Sequence, residues 1–65
     1  MQLDQMKDAL AAVAEWQGGH GAAYGPVRLR VDRAGIVLTE YNAAMCPFLE
    51  DRGFEVVCGE VVPAS

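Results

Sequence analysis

Four carboxylates, Glu50, Asp51, Glu55 and Glu60, lie in the stretch FLEDRGFEVVCGEVV. Paired carboxylates perform general acid and base chemistry only where burial moves their pKa values apart. The pattern places the first two at the end of a short helix and the last two on an edge strand, so we expect all four in solvent. Two interpretations stay open: the acids protect a sheet edge and keep the protein soluble, or they face a partner.

Histidine and cysteine are the other reactive groups. His20 is the single histidine, and the glycine-rich segment GGHGAAYGP around it is poorly suited to holding a catalytic side chain in position. Cys46, near the start of a short helix, is a candidate thiolate of the kind that a small thiol redox protein uses. With Cys58 these residues make three metal ligands, one fewer than a closed zinc site needs. We therefore expect an idle, exposed histidine, inert core thiols, no metal and no cofactor.

Composition limits the class of protein. The chain has 65 residues, of which 52% are apolar and 22% charged, as in one small folded domain. Its net charge of −4 argues against direct binding of nucleic acid, which requires clustered Lys and Arg. No apolar run approaches the ~20 residues of a membrane span, and Asp4 and Asp8 are unlike a signal peptide. We expect a cytoplasmic protein with reduced cysteines, monomeric because it lacks a heptad seam.

Periodicity predicts the elements that must position these side chains. Apolar residues spaced as on one helical face predict a helix over about 3–17, and Gly18 and Gly19 predict its end and a loop over 18–26. Alternating apolar residues predict a hairpin over about 27–40, with Gly35 at a positive φ. A short helix over about 44–52 has Pro47 in its first turn, and a strand over about 54–62 has a bulge at Gly59.

These elements predict an α+β domain over 1–65 in the order α-β-β-α-β. The sheet is expected to have three mainly antiparallel strands with the first in the centre, paired with the third, and both helices on one face. In that arrangement Arg28 and Arg30 lie across the strands from Glu55. The predicted core consists of Leu10, Val13, Leu29, Val31, Leu38, Phe48, Leu49, Phe54 and Val56.

Taken whole, from MQLDQMKDALAAVAEW to FEVVCGEVVPAS, the sequence resembles the anti-CRISPR proteins, and within them the inhibitors of the type I-C Cascade complex. The resemblance implies a protein that binds the DNA-surveillance complex on the large subunit that reads the PAM. It also implies carboxylates that take the place of DNA phosphates, because sites built from Lys and Arg hold both kinds of anion.

The functional prediction is therefore a non-enzymatic inhibitor that acts in the cytoplasm of a host bacterial cell. It binds a protein partner with a basic DNA-binding surface, without contacting nucleic acid or membrane itself. The alternative is a small protein-protein interaction module, such as an antitoxin or an adaptor subunit. The predicted partner-binding residues are Asp32, Glu40, Glu50, Asp51, Glu55 and Glu60.

Overall fold

The computed structural model describes residues 2–33 and 35–64, which form two helices and a four-stranded sheet. The helices are α1 (Leu3–Tyr24) and α2 (Met45–Asp51), and the strands are β1 (Arg28–Asp32), β2 (Gly35–Glu40), β3 (Phe54–Val57) and β4 (Glu60–Pro63). The α+β class is confirmed, whereas the prediction of three strands is wrong. Within the described residues, no helix combines the length and the apolar character that crossing a membrane requires.

The fourth strand arises because residues 54–62 fold into a hairpin and do not form one bulged strand. Val57 pairs with Glu60, which leaves Cys58 and Gly59 as a two-residue turn with φ values of 52° and 84°. Two positive φ angles are the feature of a type I′ turn, where Asn or Gly is usual in the first position. Because cysteine is an uncommon residue there, the sequence pattern did not predict a turn.

The strand order β1-β2-β4-β3 places β2 and β4 in the centre of the sheet and β1 and β3 at its edges. Neighbouring strands are antiparallel: β2 pairs with β1 on one side and with β4 on the other, and β3 pairs only with β4. The prediction that the first strand lies in the centre is therefore wrong. Arg28, Arg30 and Glu55 occupy the two edge strands, where charged side chains discourage pairing with other chains.

Helix α1 extends seven residues beyond its predicted end, so the predicted loop over 18–26 is wrong for most of its length. The helix ends at Gly25, which has a φ of 87° and whose amide donates to the Gly21 carbonyl over 2.8 Å. Aromatic stacking at helical spacing explains the extension: the ring of Trp16 stacks on His20 at 4.2 Å and on Tyr24 at 5.4 Å. These contacts offset the helical cost of about 1 kcal/mol per glycine.

Helix α2 agrees with its prediction. Its start follows a turn in which the Asn42 side-chain oxygen accepts a hydrogen bond from the Ala44 amide at 2.8 Å. Pro47 lies in the first turn, where no backbone donor is needed. Gly53, with a φ of 86°, donates to the Glu50 carbonyl at 3.0 Å and ends the helix as predicted.

The core lies between the sheet and the two helices, and it includes residues of both helices and of strands β2, β3 and β4. Of the predicted core residues, Val31 is wrong, because its position on the edge strand leaves it 49% exposed. Leu10, Leu29, Phe48 and Val56 are only partly buried against the core. The buried core residues are Ala9, Ala12, Val13, Trp16, Ile36, Leu38, Met45, Leu49, Phe54 and Val61.

Replacing Gly18 or Gly19 with alanine should stabilise the protein. Both lie inside α1, and an added Cβ meets nothing within 4 Å at either position. Each substitution should raise the free energy of unfolding by about 0.5–1 kcal/mol, measured by urea denaturation. Gly25→Ala is the control and should destabilise, because residue 25 has a positive φ. A loss of stability in Gly18→Ala would show that the helix ends before residue 18.

Two leucines that the sequence pattern assigned equally to the core differ in how deeply they are buried. Leu49 is fully buried, whereas Leu10 only packs against the edge of the core. Leu49→Ala should lower the free energy of unfolding by about 2–5 kcal/mol, close to the total that so small a domain has. Leu10→Ala should cost clearly less in the same thermal and urea melts. Equal costs would contradict the described packing of α1.

The β3–β4 turn predicts a stabilising change at Cys58. Asparagine adopts positive φ more readily than cysteine, so Cys58→Asn should raise the free energy of unfolding by about 0.5–2 kcal/mol. Cys58→Val should lower it, because a β-branched residue is strained at a φ of 52°. Chemical denaturation under reducing conditions measures both effects. The opposite order of the two variants would rule out the two-residue turn.

Candidate functional site

The first two predicted site residues, Asp32 and Glu40, lie at opposite ends of the β1–β2 hairpin, and each has an arginine partner. Glu40 pairs with Arg28 at 3.0 Å, and Asp32 lies 3.9 Å from Arg30. Asp32 also accepts a hydrogen bond from the Gly35 amide at 3.2 Å, which stabilises the hairpin turn. These two acids therefore have a local structural role, and their charges are largely balanced.

Glu55 and Glu60 lie on the face of the sheet that is turned away from the helices. Along β3 and β4, Phe54 and Val61 are buried in the core, and alternation directs their neighbours in sequence to the opposite face. Glu60 stands between Val37 and Val57 in the pairing register. The expected proximity of Arg28 and Arg30 to Glu55 is wrong, because β1 and β3 form opposite edges of the sheet.

Glu50 and Asp51 occupy the last turn of α2, in the layer of helices. Both are exposed, and neither has an ion pair among the described residues. Negative side chains at the C-terminal end of a helix lie near the negative end of its dipole, which is unfavourable by a few tenths of a kcal/mol. These two acids therefore do not help to stabilise the helix that carries them.

A groove between α1 and the start of β3 adds residues that the sequence did not single out. It has a volume of about 260 Å³ and is lined by Asp8, Ala11, Ala12, Glu15, Arg52 and Phe54. The helical spacing of Asp8, Ala11 and Glu15 was the available signal, because residues three, four and seven apart share a face. Sequence alone did not show that the turn after α2 covers one side of that face.

Arg52 closes one end of this groove. Its Nη2 donates to Glu15 Oε1 at 2.6 Å, and its guanidinium carbon lies 3.9 Å from the centre of the Phe48 ring. The ion pair joins α1 to the end of α2, and the cation–π contact holds the guanidinium on the helix layer. Arg52 therefore balances the charge of Glu15, whereas Asp8 has no ion pair among the described residues.

The histidine and the two cysteines do not form a three-ligand metal site in the described residues. His20 is exposed as predicted, but it lies on α1 against Trp16 and not in a flexible loop. Cys46 is half-buried in α2, whereas Cys58 is exposed in the β3–β4 turn, so its predicted place in the core is wrong. Across residues 2–33 and 35–64, no group of three or more His, Cys, Asp or Glu side chains is arranged to hold a metal ion.

The six predicted acids thus divide into three sets, and the structure does not bring them into one patch. Asp32 and Glu40 lie on the β1–β2 hairpin, each with an arginine partner. Glu50 and Asp51 lie in the last turn of α2, and Glu55 and Glu60 lie on the sheet face that is turned away from the helices. Comparison of the chain with protein-family models, with curated proteins and with solved structures found no match.

Proposed function

We propose that this protein is a non-enzymatic inhibitor that binds a CRISPR surveillance complex of the Cascade type through its acidic surface and blocks recognition of target DNA and its PAM. One observation carries the proposal: in the described residues, the acids of the segment 50–60 have no ion pair, whereas both acids of the hairpin do. The resemblance to inhibitors of type I-C Cascade supplies the identity of the partner.

Unpaired carboxylates are suited to a basic partner for an energetic reason. A carboxylate that already has an arginine partner must lose that contact before it can bind another cation. Exposed acids such as Glu50 and Glu55 can form charge-assisted hydrogen bonds with Lys and Arg at little cost to the folded state. A protein surface that normally holds DNA phosphates provides such cations, and opposite charge also accelerates association.

The position of Glu50 and Asp51 favours a binding role over a purely stabilising one. Both lie at the unfavourable end of a helix dipole, where a lysine or a neutral residue would be better for stability. Solubility alone does not require acids at these two positions, since many exposed sites on α1 serve equally well. A partner that contacts the end of α2 gives a reason for the choice.

The second candidate is a small interaction module, such as an antitoxin or adaptor subunit, that docks through its open sheet face. Val57 is 50% exposed on that face, and Val37 and Val62 are partly exposed beside it. Apolar side chains at the centre of a polar surface are typical of protein interfaces. This candidate differs from the first in expecting binding that depends little on salt.

Charge reversal tests the proposed inhibitor. Two double variants test the two surfaces separately. Glu50→Lys with Asp51→Lys reverses the charges on the helix layer, and Glu55→Lys with Glu60→Lys reverses those on the sheet face. At least one pair should abolish binding to purified type I-C Cascade and restore its binding to target DNA. Thermal melts should stay close to the parent, because exposed charges contribute little to stability. Binding should also weaken as salt rises from about 0.05 to 0.5 M.

A matched control uses Asp4→Lys with Gln17→Lys, which changes charge at exposed positions of α1 that are neither among the predicted contacts nor part of the groove. This variant should keep its affinity if the proposed surface is correct. Normal, salt-independent binding by both folded reversal variants would refute the acidic surface. If Val57→Lys then abolished that binding, the open sheet face of an interaction module would be the better description.

A further inference from the structure

The groove beside α1 has the two parts that a long basic side chain needs. Three apolar residues, Ala11, Ala12 and Phe54, line it together with the acid Asp8. Lysine and arginine have an apolar stem and a charged head, and they bury the stem on apolar surface while the head seeks an anion. The groove therefore offers apolar surface for the stem and an acid for the head.

Its size favours one side chain over a small molecule. Sites for cofactors and drug-sized ligands begin at about 300 Å³ and are mostly enclosed. The groove holds about 260 Å³, lies at the surface and is lined by only six residues. Asp8 and Glu15 are seven residues apart on α1, or about 10 Å along the helix axis, which gives room for an extended stem between them.

The charges around the groove direct the basic head to Asp8. At the other end Glu15 is occupied by Arg52, whose guanidinium repels a second cation. Asp8 remains as the exposed carboxylate without an ion pair in the described residues. Lys7 precedes Asp8 in the chain, but consecutive helical residues do not face one another. A cation that enters the groove therefore gains most at the Asp8 end.

We propose that this groove is an anchor site that receives one arginine or lysine side chain of the partner protein, with its stem on Ala11 and Phe54 and its head on Asp8. The proposal rests on the proposed function, because it specifies how the basic partner is held on the helix layer. Interfaces commonly depend on a few such side chains that fill a pocket on the opposite surface.

The first experiment tests the groove without the partner. N-acetyl-arginine amide, N-acetyl-lysine amide and the neutral N-acetyl-citrulline amide are titrated into ¹⁵N-labelled protein and followed by NMR. The two cationic compounds should shift the amide signals of Asp8, Ala11 and Phe54 in a saturable way, and citrulline should not. No shift, or equal shifts at every acid of the surface, would overturn the anchor site.

Paired variants show whether these residues are responsible. Asp8→Asn removes the carboxylate and Ala11→Leu fills the groove, while Asp4→Asn and Ala14→Leu make the same changes at exposed positions of α1 outside it. The first two should weaken both the amide titration and the affinity for Cascade by about tenfold or more. The two controls should leave both unchanged, and an equal loss in the controls would refute the site.

The two proposals fail in different ways. If the cationic amides bind at Asp8 but the parent protein does not bind Cascade, the proposed function is wrong while the groove remains a cation site. If the parent binds Cascade and Ala11→Leu binds equally well, the inhibitor is supported and the anchor site is overturned. Thermal melts of each variant confirm that any loss of binding occurs in folded protein.

Discussion

The packing of both helices depends on Trp16. Its ring is almost fully buried, and it contacts Phe48 of α2 edge-on with the ring centres 5.4 Å apart. One residue before it, Glu15 binds Arg52, which lies one turn after Phe48 and over its ring. Two neighbouring residues of α1 thus meet Phe48 of α2 and Arg52, the residue that follows α2, and this double contact holds the end of α2 against α1.

The same tryptophan explains why α1 is so long. His20 and Tyr24 follow at intervals of four residues and stack beside it, so the aromatic rings support a segment in which three of seven residues are glycine. Burial of Trp16 also has a cost, because its Nε1 has no hydrogen-bond partner in the described part of the protein. An unpaired buried donor costs about 1–3 kcal/mol, which the ring contacts must outweigh.

The sequence predicted those elements whose signals are local. Pro47 and Gly53 mark the limits of α2, and Gly35 marks the β1–β2 turn, because each fits a backbone conformation that few other residues adopt. The end of α1 was not predictable in this way, since the contact of Trp16 with His20 overrides the low helical preference of Gly18 and Gly19. Nor was the fourth strand, because Cys58 occupies a turn position that its residue type does not indicate.

For the candidate site, the sequence predicted which side chains are exposed, but it did not predict which residues they contact. The prediction of solvent exposure is confirmed for Glu50, Asp51 and Glu55, whereas Glu60 is only partly exposed. Which acids have partners depends on register and strand order: the β1–β2 register pairs Arg28 with Glu40, and the strand order puts Arg28 and Glu55 on opposite edges of the sheet. The groove depends on tertiary packing, because Arg52 and Phe54 are distant from α1 in the sequence and line it only where α2 and β3 pack against α1.

The division of the acids between two faces limits how a partner can bind. A rigid surface that contacts the end of α2 does not also contact the sheet face behind it, because the core separates the two layers. On the sheet, Glu55 and Glu60 already serve a purpose, since charges on an exposed β-surface discourage association with other strands. On the helix layer, Glu50 and Asp51 have no such role, yet they directly precede Arg52, which lines the groove. Under the proposed function, the helix layer is therefore the face expected to contact the partner, and the acids of the sheet face are expected to protect the exposed strands.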